Sequence, residues 1–289
     1  MSRYSVRSGL SLDFKKIGLS ERQAVEAALG ENRMCDLTFG NLFCYNGEAA
    51  FWEDSFALRW GKALWLPVGP QREMLTEQLL QQGVTRFSGV DEAAREWLET
   101  TFPGRFAFKP LRDSADYIYD REALMTLRGK KLAAKRNHIH YFEQNFSWET
   151  KPLNQETMAE ALAFNDWWCQ QNDCIQDLSL ARETCAVRKA LTHFEELSYT
   201  GLVLYADGKV CAFTYGEPLG ETGFCVHAEK ADGGLRGAYP MINREFVKTL
   251  PRNVLWINRE DDAGDEGLRK AKLSYHPAEL LMKYIAEVQ

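Results

Sequence analysis

At 289 residues the chain has room for about two domains of ordinary size, which excludes a mini-scaffold held together by cross-links. Apolar residues make up 45% and charged residues 26%, with 8 Trp, 16 Phe and 11 Tyr, far too much core-forming material for a disordered chain. The formal charge of −6 excludes attraction of the whole molecule to nucleic acid or an anionic bilayer, so any such contact must use a local basic patch.

Strand signals come first at residues 55–60 and 63–68, joined by Gly61-Lys62, a two-residue connection that favours a tight hairpin. Met74, Leu75, Leu79 and Leu80 predict a helix over 71–82, stopped by Gly83. A short strand at 85–88, a helix at 91–101 and a strand at 106–111 follow. Three helical stretches occupy the middle: 121–145, 155–171 and 180–197. In the last of these, Val187, Leu191, Phe194 and Leu197 form a core-facing stripe. Trp167 and Trp168 point about 100° apart on their helix, which suits packing better than a ligand platform.

Strands at 201–206 and 209–215 are joined by Asp207-Gly208, a strong type I′ hairpin signature. A strand at 223–229, a helix at 239–250, a strand at 253–258, a short helix at 266–271 and a closing strand at 280–288 complete the chain. Both halves thus run hairpin, helix, strand, helix, strand, which predicts two copies of one α/β unit, 1–116 and 117–289.

No run approaches the ~18 apolar residues of a membrane-spanning helix. The N-terminus, with Arg3, Arg7, Asp13, Lys15 and Lys16, lacks an apolar signal region, so a cytoplasmic protein without stable membrane insertion is expected. Seven cysteines without a secretion signal predict reduced, buried thiols. Cys169 and Cys174 have no histidine nearby in sequence to complete a zinc set, and no metal site is expected.

Four places suit chemistry. On helix 121–145, Arg128, Leu132, Lys135, Ile139, Phe142 and Phe146 form one row, so that Arg128, Lys131, Lys135 and His138 lie along or beside an apolar seam, with Arg136 in the same basic run. Anionic groups such as phosphates would suit them; the other reading is snorkelling, with stems on the core and charged heads in water. Gly233-Gly234-Leu235-Arg236-Gly237 precedes a helix, where free backbone N–H groups and Arg236 suit a phosphate, unless the glycines only turn the chain. Asn258, Arg259, Glu260, Asp261 and Asp262 end an apolar strand, a natural place for substrate contacts and a general base, although Asp261 and Asp262 are equally suited to cap the next helix. Lys272, Tyr275 and His276 are able to neutralise an anion and shuttle protons, or to form an ordinary loop. His227, inside its strand, reads as a satisfied core histidine.

The runs 127–138 and 35–43, the hairpin at Asp207-Gly208 and above all residues 258–277 resemble the C-terminal catalytic domain of phosphatidylglycerol lysyltransferase and its soluble relatives. The resemblance implies an α/β (α+β) fold of two tandem Gcn5-related N-acyltransferase-like domains, each a mixed, mostly antiparallel sheet flanked by helices. It further implies acyl or aminoacyl transfer from a phosphate-bearing donor, aminoacyl-tRNA or acyl-CoA, to an amine or hydroxyl acceptor on a small molecule or peptide, with no tightly bound cofactor. The donor's phosphates would fall to Arg236 with Gly234 and Gly237, to Lys272, or to Arg128, Lys131, Lys135, Arg136 and His138. Asn258, Arg259 and His276 would contact substrate, and Glu260, Asp261 or Tyr275 would remove the acceptor proton. The alternative is a binding module for an anion or tRNA that kept the fold without turnover.

Overall fold

The computed structural model of the chain describes residues 12–172 and 178–289, so that Arg3, Arg7 and Cys174 lie outside the described residues. Along the chain run β1 (Lys15–Lys16), α1 (Arg22–Leu29), α2 (Phe39–Cys44), β2 (Glu48–Trp52), β3 (Ser55–Trp60), β4 (Ala63–Leu64), α3 (Arg72–Gln81), β5 (Arg86–Val90), α4 (Glu92–Thr101) and β6 (Phe106–Asp120). Then come α5 (Arg121–Thr126), α6 (Ala133–Asn145), β7 (Trp148–Pro152), α7 (Met158–Gln171), α8 (Leu178–Thr192), β8 (Thr200–Ala206), β9 (Lys209–Leu219), β10 (Gly223–Ala231), α9 (Ala238–Thr249), β11 (Trp256–Asn258), α10 (Glu266–Leu273) and β12 (Glu279–Val288). The architecture is mixed α/β with mostly antiparallel strands flanked by helices, and among the described residues no helix is long and apolar enough to cross a membrane.

The expected order recurs: β2–β3–β4, α3, β5, α4, β6 is followed by β8–β9–β10, α9, β11, α10, β12. The closing strands are exchanged, because β6 pairs with β11 through Ile118, Tyr119 and Asp120, whereas β12 pairs with β5 through Tyr284, Ala286 and Glu287. The compact units are accordingly not sequential halves. One holds residues up to 30 with 46–112 and 282–289; the other holds 31–45 and 113–281.

In the first unit, Phe87, Val90, Leu98 and Ala286 are buried together with Ala57 and Leu79. Asp91 caps α4 by accepting the Ala94 N–H at 2.8 Å.

In the second unit the strand order is β6-β11-β10-β9-β8-β7. The β8–β9 turn forms as the sequence predicts, with Asp207 and Gly208 at φ 50° and 75°. One sheet face carries Ala212, Phe224 and Val226 against Met241, Ile242 and Phe246 of α9 and Phe142 of α6. The alternate residues of β9 face the other way, where Phe213 meets Phe164 of α7 and Tyr215 meets Phe194. Truncating a fully buried ring such as Phe246 to alanine would cost about 3–5 kcal/mol.

The helix expected over 121–145 is broken. Leu127 takes a left-handed φ of 51° and Gly129 one of 89°, a conformation that fits glycine. Arg136 reaches back from α6 to donate to the carbonyls of Leu127 and Gly129, tying off the end of α5.

β10 and β11 pair in parallel, and their register ends at Cys225 opposite Asn258. β10 continues to Ala231 while the chain leaves β11, so the two strands part there. His227 lies just past that point, at the bulge between Val226 and Ala228, which re-aims its side chain.

Candidate functional site

The run 35–43, one of the segments that carries the family resemblance, folds as a single turn at Cys35–Leu37 followed by α2, whose N-cap Thr38 accepts the Asn41 N–H. Its position is set by Asp116, a fully buried carboxylate that accepts the Cys35 N–H at 2.8 Å, the Cys35 thiol at 3.1 Å and the Asn258 amide at 2.8 Å. So anchored, α2 presents two donors. The Gly40 N–H donates to Glu217 Oε1 at 3.0 Å, and Asn41 Nδ2 donates to Glu260 Oε1 at 2.8 Å.

His227 joins these two carboxylates. Its Nε2 lies 2.8 Å from Glu217 Oε1 and its Nδ1 2.8 Å from Glu260 Oε1. With an acceptor on each ring nitrogen, both nitrogens donate and the ring is an imidazolium. Burial opposes that charge, but Cys225 beside the ring and hydrogen bonds to both carboxylates outweigh it and hold the pKa well above the usual histidine range. Burial pushes the Cys225 thiol up to about 12.

Glu260 sits at φ 57°, a strained left-handed conformation held because Asn258 Oδ1 accepts its N–H at 2.7 Å. Its side chain is 21% exposed against 5% for Glu217 and 4% for His227, so Glu260 is the member of the trio that solvent reaches. A small pocket of about 10 Å³ lies against the cluster, lined by Asn41, Cys44, Tyr45, Tyr199, Tyr215 and His227 among others. Gly40 is required there: a Cβ would lie 1.8 Å from the Tyr199 hydroxyl and 2.5 Å from Glu217 Oε1.

A second polar group lies in the same unit around Arg259, which pairs with Glu229 at 2.9 Å and stacks on Tyr275 at 4.7 Å. Lys135 Nζ covers the same Tyr275 ring at 4.0 Å. Burial, then Arg259, lowers the Lys135 pKa, whereas burial raises that of Tyr275 far above the phenol range, so the Tyr275 hydroxyl stays protonated. Asn243 Nδ2 completes the group by donating to Glu229 at 2.8 Å.

The residues singled out from sequence therefore divide. Asn258 and Glu260 belong to the histidine cluster, while Arg259, Lys135 and Tyr275 form the stacked group. Lys272 is buried and donates to the carbonyls of Arg259 and Asp261, at 2.6 Å for the former, so it braces the 259–261 turn. Asp261 Oδ1 accepts the Ala263 N–H at 3.1 Å. Neighbouring Asp262 is fully buried, gripped by Arg269 Nε and Nη2 at 2.9 and 2.8 Å and by the Tyr117 hydroxyl at 2.6 Å.

Arg128 and Lys131 are exposed, and Arg136 is committed to backbone carbonyls. His138 Nδ1 lies 3.3 Å from Arg236 Nε, and burial with that guanidinium lowers its pKa. Arg236 itself is exposed and stacks on Tyr141 at 4.6 Å, and His276 is exposed as well. The Gly234 N–H is taken by Asp232 Oδ1 at 2.8 Å. Gly237 serves packing, since a Cβ would lie 2.3 Å from the His138 carbonyl on α6.

Sequence reasoning passed over His227, Glu217, Gly40 and Asn41 as site residues. The available signals were Cys225 and His227 two apart on one strand, and the run 35–43 itself. Among the described cysteines none is bridged, and Cys35, Cys44, Cys211 and Cys225 are buried as expected, whereas Cys185 is exposed.

The register of β10 and β11 thus ends beside a buried carboxylate–imidazole cluster in a mixed, mostly antiparallel sheet. The chain belongs to the family described as phosphatidylglycerol lysyltransferase, C-terminal, which matches residues 27–287. A conserved protein of unknown function from Bacteroides thetaiotaomicron is 39% identical, with 96% of this chain and 100% of that chain covered and a TM-score of 0.88. The structure of L-PGS from Bacillus licheniformis, 17% identical over 92% of this chain and 91% of that one, has a TM-score of 0.60 and shows a shared fold. An uncharacterised protein of Mycoplasmoides gallisepticum is 25% identical over 196 residues, 67% of this chain and 61% of its own length. The match thus spans about three fifths of that curated relative.

Proposed function

We propose that the protein is a transferase that moves an acyl or aminoacyl group from a phosphate-bearing donor, aminoacyl-tRNA or acyl-CoA, to an amine or hydroxyl acceptor. The observation that carries this reading is the Glu260 carboxylate, partly open to solvent and held by Asn41 and His227 where β10 and β11 part. The family supplies the reaction class.

In the proposed step the acceptor oxygen or nitrogen attacks the donor's carbonyl carbon, a new C–O or C–N bond forms, and the acceptor proton passes to Glu260. The bond to the donor's oxygen or sulfur breaks, and that atom takes the proton back from Glu260 as it leaves. His227 does not take the acceptor proton, because both ring nitrogens are already donors; it fixes the carboxylate's direction. Holding donor and acceptor together beside Glu260 supplies much of the rate. The exposed cations Arg128, Lys131 and Arg236 suit donor phosphates, since each presents its charge to solvent.

The test is release of label from aminoacyl-tRNA, or of thiol from acyl-CoA, in the presence of mixed amine and polyol acceptors. Acceptor-dependent release that falls at least 100-fold in Glu260→Gln, with donor affinity kept, supports the assignment. Equal loss of affinity and rate would demote Glu260 to a structural role.

A further inference from the structure

We propose that Cys225, His227 and Glu260 form a binding site for a zinc-class divalent cation. This site concerns the same carboxylate as the proposed transfer, but its existence does not rest on that reading. Cys225 Sγ lies 3.7 Å from His227 Nδ1 and 3.9 Å from Glu260 Oε1, and the last two atoms are 2.8 Å apart. Three atoms so spaced lie on a circle of radius about 2 Å. A point just off their plane is therefore about 2.0–2.3 Å from each, which matches Zn–N, Zn–O and Zn–S distances.

The donor set is one borderline-soft ions prefer, a thiolate and an imidazole with a single carboxylate, whereas calcium and magnesium take oxygen ligands. The surroundings are also those of a metal site. Glu217 accepts the proton on His227 Nε2, which fixes the ring so that Nδ1 faces the thiol and Glu260. Asn41 Nδ2 donates to the same Glu260 Oε1 at 2.8 Å and orients the carboxylate. Glu260, at 21% side-chain exposure, gives the ion a way in.

Binding exchanges protons for metal. The Cys225 S–H bond and the His227 Nδ1–H bond break, S–M and N–M bonds form, Glu260 contributes a lone pair, and two protons pass to solvent with no electron transferred. Three protein ligands leave a tetrahedral ion one open position. A metal ion on Glu260 excludes that carboxylate as a proton acceptor, so under the proposed transfer reaction zinc acts as an inhibitor.

The experiment uses chelator-treated full-length protein titrated with cobalt(II), then with zinc in competition. One equivalent should bind with a thiolate-to-cobalt charge-transfer band that zinc abolishes. Cys225→Ser should remove the band and Cys211→Ser should keep it. Glu217→Gln should weaken binding about 10–100-fold. Zinc-edge absorption on the unaltered protein needs no variant: one sulfur at about 2.3 Å with nitrogen or oxygen at about 2.0 Å is expected. Failure of folded protein to bind one equivalent, a band that survives in Cys225→Ser, or a zinc shell without sulfur would overturn the proposal. None of these readouts depends on transferase activity.

Discussion

His227 Nε2 lies 2.8 Å from Glu217 Oε1, with both side chains almost removed from water. An imidazolium in that position is stabilised in the folded chain relative to the unfolded one, where its pKa is about 6.5. Because the folded pKa is raised, the stabilisation is complete below about pH 6.5 and disappears as pH climbs through the folded value. In chelator-containing buffer, urea unfolding should show His227→Gln destabilised more at pH 6 than at pH 9. A gap that widens with rising pH would contradict a charged ring.

Asp262 gives the opposite slope. Burial disfavours its charge, but Arg269 and the Tyr117 hydroxyl outweigh that and hold its pKa well below the usual carboxylate range. Its contribution is present above about pH 4 and is lost as pH falls through the folded value. Asp262→Asn should destabilise the chain at neutral pH, since it breaks the pair with Arg269 and leaves that guanidinium with Asp113, and the difference from the parent chain should shrink below pH 4.

Gly40 should not tolerate a side chain. Gly40→Ala drives a methyl into the Tyr199 hydroxyl and Glu217, which should cost roughly 1–3 kcal/mol and remove the Glu217 contact. Adding Tyr199→Phe takes away the closest atom and should restore part of the loss, as a double-mutant cycle measures. Strict additivity of the two changes would show that they do not meet.

The basic run should separate into two kinds of residue. Arg128→Ala with Lys131→Ala should leave stability within about 0.5 kcal/mol, because both side chains are exposed. Arg136→Ala should destabilise by about 0.5–1.5 kcal/mol through loss of its hydrogen bonds to the carbonyls of Leu127 and Gly129. If the donor is tRNA, the first pair should weaken its binding and flatten the salt dependence. Calorimetry with tRNA at two salt concentrations measures both.

The framework was legible wherever the signal was local. Asp207-Gly208 marks its hairpin, the stripe of Val187, Leu191, Phe194 and Leu197 marks a buried face, and the recurring order of elements predicts two related α/β units. The break after α5 was not legible, because Arg136 closes it through backbone carbonyls seven and nine residues away, and an apolar row continues across the interruption. The exchange of β6 and β12 depends on pairing partners far along the chain, which no periodicity encodes.

The site follows the same rule. Glu260 stood out because it ends an apolar strand among other charges, and it does face His227. His227 looked like a core histidine and is indeed buried, but its partners are 10 and 33 residues away, and the Gly40 N–H that steadies Glu217 is 177 away. A bulge at His227 and a left-handed Glu260 bring them together, and neither conformation has a mark in the sequence.

The proposed proton acceptor in acyl transfer is the Glu260 carboxylate held by Asn41 and His227. Single-turnover transfer from aminoacyl-tRNA or acyl-CoA, measured for the parent chain and for Glu260→Gln with donor binding followed separately, tests it most directly. The account predicts acceptor-dependent turnover in the parent and a drop of at least 100-fold in the variant at unchanged donor affinity. Equal turnover in the two proteins would contradict it.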